Sequence, residues 1–198
     1  MMQDFWTSLL AKDKALFSFI NGEWTFDCLD QLMPWMRDSK NWVPLYIVIL
    51  IYLLYKWRVK TWRWMVLVAV NITLTDQISS SIFKPLFHRL RPCADPAIMT
   101  KARLLVDHCS GGFSFTSSHA ANHFGIALFI VMTLQPLLKK YTYAFILWAA
   151  IISYAQVYVG VHYPLDVFCG ALIGLTIGYF NGKIYNQWQA SVDAKMLA

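Results

Sequence analysis

Residues 62–92 read Trp62-Arg-Trp-Met-Val-Leu-Val-Ala-Val-Asn-Ile-Thr-Leu-Thr-Asp-Gln-Ile-Ser-Ser-Ser-Ile-Phe83, then Lys84-Pro-Leu-Phe-His-Arg-Leu-Arg91-Pro92. As a helix, the first part is apolar over a length that crosses a hydrocarbon layer of about 30 Å. The second part sets Lys84, His88, Arg89 and Arg91 directly at the end of that span, where a membrane would meet water. An apolar helix that ends in a cluster of cations implies a membrane protein with polar chemistry at the interface.

Four further runs have the same character: Trp42 to Trp57, His119 to Leu138, Thr142 to Val161 and Tyr163 to Phe180. The chain has 198 residues, 58% of them hydrophobic, and a mean hydropathy of +0.44. That is too apolar for a typical soluble domain and leaves too little amphipathic chain to cover five buried helices. The expected fold is all-α, a polytopic bundle of five transmembrane helices forming one membrane domain over residues 1–198.

The segment 1–41 differs, because Lys12, Asp13 and Lys14 interrupt its apolar residues. An amphipathic helix lying in the interface is expected there. A sixth, short or re-entrant segment is left open over Glu23 to Met36, where Glu23, Asp27 and Asp30 lie among aromatics and methionines. No cleavable signal peptide is expected, since no basic leader precedes an uninterrupted apolar core. Residues 185–198 read as a short polar tail.

Orientation follows from the loops. Lys56, Arg58, Lys60 and Arg63 lie between the first two spans, and Lys139 and Lys140 between the third and fourth. The positive-inside rule makes both loops cytoplasmic, which puts the loop 84–118 and the turn at His162 on the opposite, extracytoplasmic face. The net charge of +6 resides in membrane-flanking loops and calls for no nucleic-acid partner. Cys28 and Cys169 lie in or near apolar segments and are expected to be inert. Cys93 and Cys109 bracket one polar loop, and two readings stand: a disulfide, stabilising by about 3 kcal/mol, or two free thiols.

Three polar clusters fall on the proposed outer face. In the first, Lys84 and Arg91 are seven residues apart, which on a continuous helix would share a face, although Pro85 and Pro92 interrupt it. A guanidinium fork and an ammonium suit a phosphate. Asp76, upstream in the span, is expected to balance these cations. The second cluster, Gly111-Gly-Phe-Ser-Phe-Thr-Ser-Ser-His119, opens an apolar helix, so Ser117 or Ser118 would cap it while its free N–H groups attract an anion. His119 and His123 have metal-ligand spacing, but a lone pair is weak, and no metal or other cofactor is expected. In the third, Pro164 suits a first helical turn and Asp166 lies four residues after His162, so the carboxylate can orient the imidazole. Cations, hydroxyls, two histidines and a carboxylate together fit transfer of a phosphoryl group through a histidine.

Taken together, Lys84 to Pro92, Thr116 to His119, and His162 with Asp166 resemble the type 2 phosphatidic acid phosphatase family, whose pattern is K-x6-RP, PSGH and SR-x5-H-x3-D. The resemblance runs from about Asp76 to Gly178, with Thr for Pro and Ser for Gly in the second motif. It implies that His162 is the nucleophile forming a phosphohistidine, oriented by Asp166, and that His119 protonates the leaving oxygen. Lys84, Arg91, Ser117 and Ser118 would hold the phosphoryl oxygens, without a metal. Gln156, preceded by Ala155, stands where the family pattern has Ser-Arg. A glutamine can hydrogen-bond a phosphate but brings no charge, a loss of about 2 to 4 kcal/mol, or a rate factor of about 100 or more. Arg89, His88 and Arg103 are candidates to replace that charge.

The function expected from these residues is a metal-independent integral-membrane lipid phosphatase, set in a bacterial inner membrane with its site facing the periplasm or exterior. Its partner would be a phosphorylated membrane lipid: undecaprenyl pyrophosphate first, lipid A phosphates second, phosphatidic acid or phosphatidylglycerol phosphate third. The alternative, prompted by Gln156, is a noncatalytic relative that binds or moves such a lipid.

Overall fold

The computed structural model describes residues 2–197, which form helices and connecting loops with no strand among them. In chain order the α-helices are α1 (Met2–Ser18), α2 (Asp27–Arg37), α3 (Val43–Trp57), α4 (Thr61–Gln77), α5 (Lys84–Phe87), α6 (Ser118–Leu138), α7 (Ala144–Tyr158) and α8 (Pro164–Leu197). A π-helical turn, Ile78–Phe83, carries α4 into α5.

Among the described residues, three helical stretches are long and apolar enough to cross a membrane: Ser39–Ala94, Ser118–Tyr158 and Pro164–Ala194. Arg58 and Lys139, with φ of 49° and 51°, interrupt the first two. The chain folds back at the first break, so Ile49 and Leu53 of α3 share a core with Trp64 and Leu67 of α4 and Phe129 of α6. The five apolar runs of the sequence therefore correspond to α3, α4, α6, α7 and α8. Val48, Ile51, Val66 and Val70 remain outward, a surface suited to acyl chains rather than water.

The tightest seam joins α6 to α8. A Cβ at Gly170 or Gly174 would collide with the carbonyl of Ser117 or Ala121, and one at Gly178 would lie 2.5 Å from the Gly125 carbonyl. Four-residue spacing lines these glycines along one helix face, and the missing side chains let two backbones touch, the means by which helices associate in lipid. This seam fixes Ser117 at the start of α6 against Asp166 at the start of α8, whose carbonyl accepts from the Ser117 amide at 3.0 Å.

Several expectations change. The 1–41 segment holds two helices where one was expected, and it touches the bundle: Phe17 is buried against Tyr163, and Asn21 donates to the carbonyls of Arg103 and Tyr158. With 11 residues, α2 rises about 16 Å, half a hydrocarbon core, the length of a short segment rather than of a full crossing. Residues 185–197 continue α8: Tyr185 is buried and stacks on Trp57, and Trp188 packs edge-on against Trp62. Cys93 and Cys109 are disulfide-bonded, while Cys28 and Cys169 are free.

Candidate active site

His162 lies on the turn between α7 and α8, which begins at Gly160 with φ of 90°. Its amide donates to the Gln156 carbonyl at 3.2 Å, and Arg91 Nη1 stands 3.1 Å from its Nε2. A guanidinium only donates, so Nε2 is the acceptor, its lone pair turned to Arg91, and the ring proton is assigned to Nδ1. On that side, Ser114 Oγ is 3.3 Å and Asp166 Oδ2 is 3.6 Å away. Burial pushes the His162 imidazole down to about 4, against the opposing pull of Asp166. It is therefore neutral at pH 7, and its lone pair takes up a proton as pH falls through about 4.

Asp166 is completely buried, and such a carboxylate is tolerable only when donors surround it. Arg89 Nη1 donates at 2.7 Å, Ser114 Oγ at 2.5 Å and the Tyr163 amide at 2.8 Å. Arg89 is held in turn by Asp13 of α1 at 2.5 Å, and Asp13 also takes the Leu165 amide at 2.8 Å. Burial keeps the Asp13 carboxyl above its ordinary range even beside Arg89. Sequence reasoning missed Ser114 and Asp13 and counted Arg89 only as a cation. Ser114 was visible within the glycine and hydroxyl cluster. Asp13 was visible only as a break in an apolar run.

Lys84 and Arg91 do not share a helical face, because α5 ends at Phe87 and His88 turns left-handed with φ of 48°. Both nevertheless reach the site. Lys84 Nζ donates to Ser118 Oγ at 2.9 Å, and Ser118 also meets Ser79 and Ser80 at 3.0 Å each. Ser80 donates to Asp76 at 3.3 Å, so the acid of α4 sits behind the cation cluster. Ser117 is the cap of α6, its hydroxyl accepting from the Ala120 amide at 3.4 Å. His119 is half-buried in the first turn of α6 and lies close enough to His162 and Lys84 for mutual electrostatic interaction. His123 uses Nδ1 to donate to the His119 carbonyl at 2.8 Å.

Gln156 is completely buried, and Arg37 Nε of α2 donates to its Oε1 at 3.4 Å. The three cations proposed to replace the missing charge are engaged elsewhere. Arg89 bridges Asp13 and Asp166, Arg103 pairs with Asp30, and exposed His88 packs edge-on against Phe113. Beside His119 opens a polar cavity of about 390 Å³ whose lining includes Arg37, Asp107, His108 and Ser110. An apolar groove of about 490 Å³ lies among α3, α4 and α6, lined by residues such as Tyr46, Val68 and Ile126, and Ser39 borders both spaces.

A neutral buried histidine backed by a buried carboxylate, with Arg91, Arg89 and Lys84 around it, stands at the end of a bundle of apolar helices and has the chemistry that handling a phosphate group needs. The sequence agrees, matching the PAP2 superfamily over residues 64–190, and the chain belongs to that family. It is a phosphatase. It is 37% identical to a lipid A 4'-phosphatase of Bacteroides thetaiotaomicron over 166 residues, 82% of this chain and 72% of the relative. It is 30% identical to a lipid A 4'-phosphatase of Porphyromonas gingivalis over 180 residues, 89% of this chain and 74% of the relative. Among solved structures, Aquifex aeolicus LpxE superposes with a TM-score of 0.64 at 29% identity, covering 85% of this chain and 93% of LpxE. A PAP2-type phosphatidylglycerolphosphate phosphatase from Bacillus subtilis superposes with a TM-score of 0.67 at 25% identity, covering 91% and 87%.

Proposed function

We propose that this protein removes a phosphate from a membrane lipid of the lipid A class through a phosphohistidine on His162. The observation that carries the reading is the single lone pair at His162 Nε2, aimed away from Asp166 and met by Arg91. In the first step Nε2 attacks phosphorus, forming a P–N bond as the P–O bond to the lipid breaks. His119 gives a proton to the leaving oxygen, and Asp166, helped by Ser114, stabilises the imidazolium. Water then attacks phosphorus with His119 as base, the P–N bond breaks, and inorganic phosphate leaves. Lys84, Arg91, Ser117 and Ser118 hold the non-bridging oxygens where charge develops.

The two curated relatives, both lipid A 4'-phosphatases, move lipid A ahead of undecaprenyl pyrophosphate in the order of substrates. The groove meeting the polar cavity at Ser39 supports a ligand with an acyl chain and a polar head. We read the chain as one membrane domain of five spans in a bacterial inner membrane, with loop 84–118 facing the periplasm or exterior, on the positive-inside argument.

The test is phosphate release by detergent-purified protein over lipid A, undecaprenyl pyrophosphate and phosphatidic acid. Release is expected with lipid A and is expected to vanish in His162→Ala without loss of helical content. Retained turnover in that variant would remove His162 as nucleophile, and release confined to undecaprenyl pyrophosphate would restore the first order of substrates.

A further inference from the structure

Arg37 stands outside the family match, which begins at residue 64, yet it ends α2 at the edge of the catalytic cluster. Among the described residues its side chain hydrogen-bonds one partner, a neutral group, Gln156 Oε1. Asp38, the nearest acid in sequence, turns its carboxylate to the Lys40 amide at 3.0 Å. Arg37 lines the same polar cavity as His119 and lies close enough to Arg91 for the two cations to repel. Asp38 acts on Arg37 and Asp166 on Arg91, yet neither carboxylate hydrogen-bonds its arginine, so both guanidinium groups keep donors that an anion between them would take up.

A second observation points the same way. Gln156 Nε2 and Arg91 Nε are buried and have no hydrogen-bond partner among the described residues. Both are donors, so what would satisfy them is an acceptor, and an orphaned buried donor costs about 1 to 3 kcal/mol until it finds one. Gln156 also accepts the His162 amide through its carbonyl, so its side chain branches from the backbone that holds the nucleophile. Arg37 is thus tied by one hydrogen bond to a residue whose backbone fixes His162.

We propose that Arg37 is a phosphate-binding residue of this site, with Gln156 as its positioning partner, and that it holds a non-bridging oxygen of the transferring phosphoryl group. The inference rests on the phosphatase reading of His162. It assigns a charge-assisted contact to the place where Gln156 supplies none, and draws it from an N-terminal helix rather than from α7. Guanidinium suits the task because its Nε can stay on Gln156 while the terminal nitrogens fork onto the phosphate.

The test compares wild type, Arg37→Gln, Arg37→Lys, Arg37→Ala and His162→Ala for phosphate release from lipid A and for binding of orthovanadate, which mimics the trigonal-bipyramidal centre. Arg37→Gln is expected to lower kcat/KM by about 100-fold, with vanadate affinity falling in parallel. Arg37→Lys should recover part of both, and millimolar guanidinium should restore turnover to Arg37→Ala. Rescue by guanidinium would not follow from a merely structural role. Thermal unfolding checks that each variant folds; if Arg37→Gln does not, Arg37→Lys and the rescue of Arg37→Ala decide. Variants within about threefold of wild type in kcat/KM and vanadate affinity would overturn the inference while His162-dependent release persists. Absence of release from wild type would overturn the phosphatase reading itself.

Discussion

Around His162 the polar groups are engaged before any substrate arrives: Asp166 accepts from Arg89, Ser114 and the Tyr163 amide, and Arg89 is braced by Asp13. Across the site, Arg37 reaches one neutral oxygen, Gln156 keeps a buried donor without a partner, and His119 faces an open polar cavity. The first half needs little reorganisation when charge develops on the imidazole, which is the condition under which electrostatic stabilisation is strongest. The second half keeps donors in reserve for a ligand that brings acceptors. The first half draws Arg89, Ser114, Tyr163 and Asp166 from inside the family match and only its brace, Asp13, from α1; the second depends on Arg37 of α2, outside the match.

The sharpest break in that comparison is Asp166→Asn. In the proposed mechanism it removes the charge that stabilises the imidazolium, and it leaves Arg89 paired only with Asp13. We expect kcat to fall on the order of 1,000-fold with a much smaller change in KM, because the loss is felt when charge forms rather than when substrate binds. The acid limb of the pH profile should also move. Asp166 raises the His162 value against burial, so without it the imidazole protonates below about 4 and the limb shifts to lower pH. A limb that moves upward, or a kcat that holds, would show that Asp166 does not act on the nucleophile.

How legible this was depended on range. Apolar runs are legible because each is a local composition, and the five fall on the helices α3, α4, α6, α7 and α8. His162 and Asp166 were legible because a fixed spacing on one chain segment carries their geometry. Arg37 and Asp13 were not, since each meets its partner more than 70 residues away, Gln156 at a separation of 119 and Arg89 at 76. The stripe Gly170, Gly174, Gly178 was readable as a helix–helix seam and was passed over, because glycine within an apolar run looks like lost propensity until a partner backbone is placed on it.

Asp13 tests whether the pre-engaged half extends beyond the matched residues. Asp13→Asn keeps the shape but frees one side of Arg89, which then pulls only on Asp166. We expect about a tenfold loss in kcat with vanadate affinity nearly unchanged, since Arg89 touches the carboxylate and not the phosphate. An equal fall in both would place Arg89 among the phosphate-binding cations and redraw the boundary between the halves.

The smallest effect belongs to Cys93→Ser. The Cys93–Cys109 disulfide closes a segment of 16 residues' separation, and Leu105, Val106, Asp107 and His108 within it line the polar cavity. Opening it releases about 3 kcal/mol of chain-entropy constraint on the unfolded state, so the thermal midpoint should drop. The nucleophile half takes Arg91, Asp166 and Ser114 from outside that segment, and kcat should change by less than about threefold. The cavity wall loosens, so KM for lipid A should rise by a few-fold as ordering of the loop is charged to binding. A fall confined to kcat would mean that the loop acts on His162 and that the two halves are one mechanical unit; a rise in KM alone would keep them separate.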